Sequence, residues 1–467
     1  MAASSSGGKS YNKDHIMDLI KEHLPSKSKE KSELGEVFTP VTMIDQLYDN
    51  FPSSIWKSTT HTWLDPATGI GNFMIVVFFR LMDSLRHAIP NDTKRAKHII
   101  EKMLFMGEIN ANNVKICRQI FKKLCPSATP NIYQGDFLTI HLDALKWPSK
   151  FYAVVGNPPY NIGGTGLEGS KRTHIIFTEK GLEVLEKGGF LAYICPPSYR
   201  EADTPMNSLF QEGHGHFVYI KIYGAGETFK LFKIQGRVDS FIYQMGVKGL
   251  TTIDDEYNNI TKGLSLDLTR HIPNFGHTIF EKLYKRVKAL GHVEAFRNTE
   301  MSSVKASTFG CNGKHKILHL ILEKGRRVFK TTKQHPLATT PKLLINGLGV
   351  PYVFYDKRGE YGPSQSPVII LKPSANLVNL LQSTLFSFIA WGLRLTGNNN
   401  LPYLFDYVPD VRSEKNSYAT MEDIQHGFHF TAAEVKFITD HFHRYEYKDV
   451  DIIEKCVTKT RKKKKTA

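Results

Sequence analysis

Residues 151–160 read Phe-Tyr-Ala-Val-Val-Gly-Asn-Pro-Pro-Tyr, an apolar run that ends in a stiff polar turn. The apolar half predicts a buried strand. Proline has a fixed φ and pushes the preceding residue into an extended conformation, so Asn157 and Pro158 are both restricted. The Asn157 side-chain oxygen and the Pro158 carbonyl are two acceptors suited to the hydrogens of an NH₂ group, and Tyr160 offers a face for stacking. The alternative is a rigid proline loop without a function, since the chain contains a second Pro-Pro pair.

Strand-like and helix-like segments alternate from about residue 61 to residue 245. The predicted strands are 63–64, 104–108, 132–136, 152–155 and 189–195. The helices predicted between them are one ending near residue 86, 93–102, 112–124 and 173–186. This alternation predicts an α/β fold with a parallel, doubly wound sheet. Ligands bind such sheets at the carboxyl ends of the strands.

Polar residues follow the first three predicted strands, as Asn157 follows the fourth. Residues 65–73 (Asp-Pro-Ala-Thr-Gly-Ile-Gly-Asn-Phe) form a strand-to-helix turn in which Gly69 and Gly71 allow close approach of a ligand. The third glycine of the dinucleotide fingerprint is absent. Glu108 is placed to accept ribose hydroxyls, and Asp136 to accept from an adenine amino group. A tight turn, a helix N-cap or a surface charge is the alternative for each feature taken singly.

The remaining chain is expected to form other elements. A helix is predicted over residues 11–24, and Thr39 is predicted to cap a helix that has Pro40 in its first turn. Beyond about residue 265, Gly/Pro-punctuated stretches alternate with apolar strand-like runs, including 352–355 and 368–371, and one helix is predicted over 375–395. This pattern indicates a separate α+β domain.

Composition limits the class of protein. The 467 residues suffice for two or three domains, and the net charge of +16 favours a polyanionic partner, most simply nucleic acid. Five dispersed cysteines without metal-site spacing indicate a reducing compartment and no metal site. The N-terminus does not resemble a signal peptide, and no apolar stretch is long enough to span a bilayer. We therefore expect a soluble intracellular protein, in the cytoplasm, the nucleus or a virus, without a membrane partner.

The ordered set of motifs resembles the adenine-N6 DNA methyltransferases. The motifs are Glu-Val-Phe-Thr-Pro at 36–40, the glycine turn at 65–73, Glu108, Gly-Asp-Phe at 135–137 and Asn-Pro-Pro-Tyr at 157–160. The resemblance covers about 33–245. It implies a Rossmann-like, S-adenosylmethionine-dependent methyltransferase fold followed by an α+β target-recognition domain. The expected division is 1–32 tail and helix, 33–262 catalytic domain, 263–450 DNA target-recognition domain and 451–467 basic tail.

The resemblance also implies the cofactor, S-adenosyl-L-methionine, and the residues that bind it. These are Phe38, Thr39, Pro40, Asp65, Ala67, Gly69, Gly71, Glu108, Asp136 and Phe137. The spacing from the glycine turn to the ribose acid is longer than the usual ~20 residues. An added helix between residues 90 and 102 accounts for this departure.

The implied catalytic residues are Asn157, Pro158, Pro159, Tyr160 and Phe229. The first two would bind the target amino group and Tyr160 would stack on a base flipped out of double-stranded DNA. Phe229 is expected on the other face of the base, with Phe232 as the second choice.

Two other methyltransferase classes share this tetrapeptide. Protein-glutamine methyltransferases act on a side-chain amide, and some methyltransferases act on the bases of RNA. The basic segment of some 200 residues after the catalytic fold, together with the motif at 36–40, favours DNA. Few residues precede residue 35, so modification without a fused nuclease is expected.

Overall fold

The computed structural model describes residues 39–162, 171–234, 236–297, 313–332, 334–395 and 402–453. Phe38, the helix predicted over 11–24 and the tail beyond residue 453 lie outside these ranges. The chain divides into two compact units with a boundary between Ile272 and Pro273, and we call them unit 1 and unit 2.

Unit 1 contains eleven strands among its described residues. They are β1 Trp63–Asp65, β2 Leu104–Glu108, β3 Asn131–Gln134, β4 Phe151–Gly156, β5 Asn161–Ile162, β6 Lys171–Arg172, β7 Leu185–Cys195, β8 His216–Ile222, β9 Asp239–Gln244, β10 Thr251–Asp254 and β11 Ile260–Leu264. β5 and β6 pair only with each other, and the other nine form one sheet in the order β11-β10-β8-β9-β7-β4-β1-β2-β3.

The five predicted strands are all present, and the predicted α/β fold is confirmed. Strands β3, β2, β1, β4 and β7 are parallel to one another. The sheet is not parallel throughout, because β9, which was not predicted, lies antiparallel between β7 and β8, and β11 is antiparallel to β10. The direction of β9 depends on which strands lie beside it. The residues of β9 alone do not determine those neighbours.

Seven helices accompany this sheet in the described part of unit 1. They are α1 Val41–Tyr48, α2 Asn72–Ser84, α3 Asp92–His98, α4 Ala111–Leu124, α5 Thr173–Glu183, α6 Pro205–Glu212 and α7 Ala225–Phe232. The predicted cap of α1 is wrong by one residue, since Pro40 is the N-cap and Thr39 precedes it. The Thr39 hydroxyl has another partner, described below.

Both faces of the sheet are buried. On β4, Ala153 and Val155 belong to a core shared with α1, α2 and α4, while Val154 belongs to the core on the opposite face, shared with α5 and α6. Helix α4 buries Val114 and Cys117, which are spaced as expected for one apolar face of a helix. Burial on both faces explains why β4 is a continuous apolar run rather than an alternating one.

Unit 2 is an α+β unit. Its described strands are β12 Phe296–Arg297, β13 His315–Leu322, β14 Gly325–Thr331, β15 Lys342–Ile345, β16 Val353–Asp356, β17 Tyr361–Pro363, β18 Val368–Leu371 and β19 Asp451–Ile453. They form two four-stranded sheets, β12-β18-β15-β16 and β17-β13-β14-β19. The helices are α8 His277–Leu290, α9 Ala375–Leu381, α10 Thr384–Gly392, α11 Met421–Phe428 and α12 Ala432–His441.

One predicted helix of unit 2 is two helices. The segment 375–395 breaks between α9 and α10 at Gln382 and Ser383, and Ser383 is the N-cap of α10. The Ser383 hydroxyl does not cap α10; it donates to the Leu380 carbonyl of α9 at 2.6 Å. Across the described residues of both units, no helix is long and apolar enough to cross a membrane.

Candidate active site

The order of strands creates a crevice at the carboxyl ends of β1 and β4. The chain runs outward from β1 to β2 and β3, and then returns to β4 on the other side of β1. Such a switch point leaves a gap where open α/β sheets bind ligands. Asp65 ends β1, Glu108 ends β2 and Asn157 follows β4. The sheet therefore brings these three predicted residues to one edge.

Asp65 is buried in this crevice against the neighbouring strand. Its Oδ1 accepts from Ala67 N at 3.1 Å, and its Oδ2 is buried without a hydrogen-bond partner among the described residues. A Cβ on Gly156 would lie 2.8 Å from Asp65 Oδ1, so only glycine leaves room for the carboxylate. A buried carboxylate oxygen without a partner is a site for a cation or an N–H donor.

Burial raises the pKa of Asp65 to about 8, and the nearby Glu108 carboxylate adds to this rise. The folded protein then holds a proton that the unfolded chain has lost, so this contribution to stability is full below about pH 4 and disappears as the pH rises through 8. Between pH 6 and 8 we expect the free energy of unfolding of the ligand-free protein to fall by about 2 kcal/mol relative to Asp65→Asn. Urea unfolding of both proteins at the two pH values measures this difference, and parallel pH dependence would contradict it.

The glycine turn and Glu108 are joined directly. Gly69 has φ +57°, a conformation that favours glycine, and its N–H donates to Glu108 Oε2 at 2.7 Å. Glu108 Oε1 accepts from Asn110 N at 2.7 Å. Both oxygens of the Glu108 carboxylate thus accept from backbone N–H groups next to the ends of β1 and β2. Gly71 is the N-cap of α2 with φ +100°.

Asp136 and Phe137 have local roles as well. Asp136 is exposed and caps a short 3₁₀ helix through Leu138 N, at 3.0 Å from its Oδ1. The Phe137 ring is buried beside Gly107, where an added Cβ would lie 2.8 Å from Cδ2. Contacts of these two residues with a cofactor stay predictions.

The side-chain nitrogen and oxygen of Asn157 differ in their hydrogen bonding. Its Nδ2 donates to Thr39 Oγ1 at 2.9 Å. Its Oδ1 is buried and has no hydrogen-bond partner among the described residues. The carboxamide therefore presents an acceptor without a partner, as expected of a residue that binds an amino group. Pro158 beside it is buried and Pro159 is half-buried.

The backbone of Tyr160 is fixed from α5. Its carbonyl accepts from Thr173 N at 3.2 Å and lies 3.2 Å from His174 Nδ1. A carbonyl can only accept, so His174 Nδ1 carries the hydrogen. His174 Nε2 lies 3.0 Å from Ser198 Oγ. Burial raises the pKa of the Tyr160 hydroxyl, and the nearby Cys195 thiol raises it further, whereas Asn157 lowers it. The Tyr160 hydroxyl has no hydrogen-bond partner among the described residues.

The two candidates for the second aromatic differ in exposure. Phe229 on α7 is 52% exposed, with Lys233 Nζ 5.9 Å from its ring centroid, whereas Phe232 is 2% exposed and belongs to the core. Of the two, only Phe229 has a free face.

Three residues adjacent to the predicted ones in sequence or in contact with them were not predicted. Gly156 makes room for Asp65, His174 anchors Tyr160, and Ile109 is 66% exposed directly after Glu108. Ile109 could have been found from the sequence, because it is an apolar residue between the acid that ends a strand and Asn110, which caps the next helix. His174 could not have been found in this way, because only the tertiary structure brings its partners to it.

Comparison with known proteins identifies the catalytic part. The family model of the Eco57I restriction-modification methylases matches residues 79–214, which include Glu108, Asp136 and the tetrapeptide 157–160. This part of the chain is therefore similar to the Eco57I-type methylases. An uncharacterized adenine-specific methylase of Mycoplasma pneumoniae is 22% identical over 312 residues, covering 50% of this chain and 73% of that protein. The prediction that this part of the chain is a methyltransferase is thereby confirmed.

Solved structures of restriction-modification enzymes are also similar. The M protein of the type I enzyme EcoKI is 15% identical with a TM-score of 0.38, over 57% of this chain and 59% of that one. The type IIL enzyme MmeI, solved in complex with DNA, is 13% identical with a TM-score of 0.46, over 89% and 74%. The chain thus spans somewhat more than half the length of the EcoKI subunit.

Proposed function

We propose that this chain transfers a methyl group from S-adenosylmethionine to the exocyclic amino group of adenine in double-stranded DNA. The observation that carries the proposal is the Asn157 side chain, whose oxygen is buried without a hydrogen-bond partner among the described residues. It follows β4 at the same sheet edge as the carboxylates of Asp65 and Glu108.

The crevice residues fit the cofactor. Asp65 Oδ2 would accept from its ammonium group, and the Glu108 carboxylate at the end of β2 would accept from its ribose hydroxyls. The exposed Ile109 side chain adds apolar surface beside Glu108 for the adenine ring. When bound, the cofactor supplies a methyl group activated by a sulfonium. The other implied residues, Phe38 and Pro40 among them, are proposed to close over it.

Asn157 and Pro158 would activate the target nitrogen by position. The amino group of adenine is conjugated with its ring and is a poor nucleophile. Two acceptors that bind its hydrogens out of the ring plane favour the pyramidal form, in which the lone pair is free. Because these acceptors are already in place, they need not reorient during the reaction. Preorganised groups of this kind are a usual source of transition-state stabilisation in enzymes.

The target base must leave the duplex to reach these acceptors. Flipping costs a few kcal/mol, and stacking in the pocket offsets part of this cost. Tyr160 would contact one face of the base and Phe229 the other. Phe229 suits this role because it is half exposed in the absence of DNA.

Unit 2 is proposed as the target-recognition domain. Residues 273–467 contain 30 Lys and Arg and 17 Asp and Glu, so they carry +13 of the net charge of +16. Unit 1 therefore carries a formal net charge of only +3. Phosphate neutralisation dominates the affinity of proteins for DNA, and a few side chains then read bases in the groove.

The proposal is tested with labelled S-adenosylmethionine and plasmid DNA, followed by nucleoside analysis. Label in N6-methyladenine is expected. Label in RNA incubated in parallel would indicate an RNA base methyltransferase, and label only in protein would indicate a glutamine methyltransferase. Either result without label in DNA would overturn the proposal.

A further inference from the structure

Thr39 occupies the position where a helix cap was expected, but its hydroxyl serves another group. The hydroxyl accepts from Asn157 Nδ2 at 2.9 Å, across 118 residues of sequence. Helix α1 is left without a side-chain cap.

We infer that Thr39 is a positioning residue for methyl transfer, which fixes the orientation of the Asn157 carboxamide. This inference rests on the proposed function. It assigns Thr39 a role that acts through Asn157, distinct from the cofactor contact that the motif implies.

The two ends of a carboxamide have opposite hydrogen-bonding character. If the Asn157 amide turned over, its NH₂ would face the NH₂ of the target base, and two donors would oppose each other. The Thr39 hydroxyl can pair with either end of the amide; it accepts from the amide NH₂ when the amide oxygen faces the target, and the NH₂ of the bound base selects that orientation. Without that acceptor, the buried NH₂ would have no partner in the productive orientation, which is unfavourable.

Thr39 itself is held on both sides. Its carbonyl accepts from Asn72 Nδ2 at 3.2 Å, and Asn72 is the first residue of α2 after the glycine turn. On its C-terminal side, Pro40 has a restricted φ. Thr39 is only 4% exposed, and a β-branched side chain has few rotamers. The hydroxyl therefore meets Asn157 from a fixed place.

The two roles of Thr39 predict different measurements. A residue that only covers the cofactor would change the dissociation constant of S-adenosylmethionine. A residue that orients Asn157 would change the rate of methyl transfer when enzyme, cofactor and DNA are all bound.

Thr39→Val keeps the shape and removes the hydroxyl, whereas Thr39→Ser keeps the hydroxyl. Thr251→Val is the matched control, because Thr251 is equally buried but lies on β10. We expect Thr39→Val to lower the single-turnover rate by about 10- to 100-fold with the cofactor dissociation constant changed less than about threefold. Thr39→Ser and Thr251→Val should stay within about threefold of the wild-type rate.

Several outcomes would overturn the inference. One is a wild-type rate for Thr39→Val, and another is loss of cofactor affinity with a normal rate at saturation. An equal loss of rate in Thr39→Ser would also do so, because the hydroxyl would then not be the cause. Unfolding midpoints identify a variant that fails to fold, and Thr39→Ala then takes its place. If the wild-type protein transfers no methyl group to DNA, the proposed function itself fails.

Discussion

Replacement of Asn157 by alanine is expected to lower the single-turnover rate of methyl transfer to adenine by about 10²- to 10³-fold. The variant removes one of the two acceptors that are proposed to hold the target amino group. Pro158 retains the other, so a residual rate should remain. Binding of the cofactor should change less than about threefold, because Asp65 and Glu108 keep their positions on the ends of β1 and β2.

The measurement is a rapid-quench assay with a short duplex and labelled cofactor, both saturating. Asn91→Ala is the matched control, since Asn91 is an exposed residue between α2 and α3. Its rate should equal that of the wild type, although loss of the α3 cap lowers stability. A wild-type rate in Asn157→Ala would show that the amide does not take part in the reaction.

The sequence was sufficient to predict the ends of the strands that carry the site. Apolar runs stop at Asp65, Glu108 and Asn157, and the parallel arrangement brings strand ends to one edge. β2 and β18 have the predicted bounds, because each is a short apolar run next to a polar or glycine-rich stretch. These features are local, so a reading of neighbouring residues finds them.

Contacts between distant residues could not be predicted in the same way. The bond from Asn157 to Thr39 joins residues 118 positions apart, and Thr39 reads locally as a helix cap. Nothing in the sequence distinguishes His174 from the other residues of α5; its contact with the Tyr160 carbonyl is formed only in the folded chain. β9 was missed because its insertion between β7 and β8 depends on the whole sheet. In each case the partner is determined by tertiary structure.

A second large effect is expected at the end of β7, where unit 1 contains a buried ion pair. Arg200 and Asp239 are both fully buried, and Arg200 Nε donates to Asp239 Oδ2 at 2.6 Å. Tyr199 OH donates to the same oxygen at 2.9 Å, and Arg200 also donates to the Ile272 carbonyl at 3.1 Å. Burial raises the pKa of Asp239, and the Arg200 guanidinium opposes that rise. The carboxylate therefore depends on Arg200 for its charge.

Arg200→Met should lower the free energy of unfolding by about 3–5 kcal/mol, because it leaves a buried carboxylate without a counter-ion. The double variant Arg200→Met/Asp239→Leu should recover most of this loss, since an apolar pair of similar volume avoids the uncompensated charge. Arg86→Met is the control, because Arg86 and Asp83 form an exposed pair worth less than about 1 kcal/mol. Urea unfolding followed by circular dichroism measures all three. If the single and double variants were equally unstable, the loss would come from the packing of the arginine side chain and not from its charge.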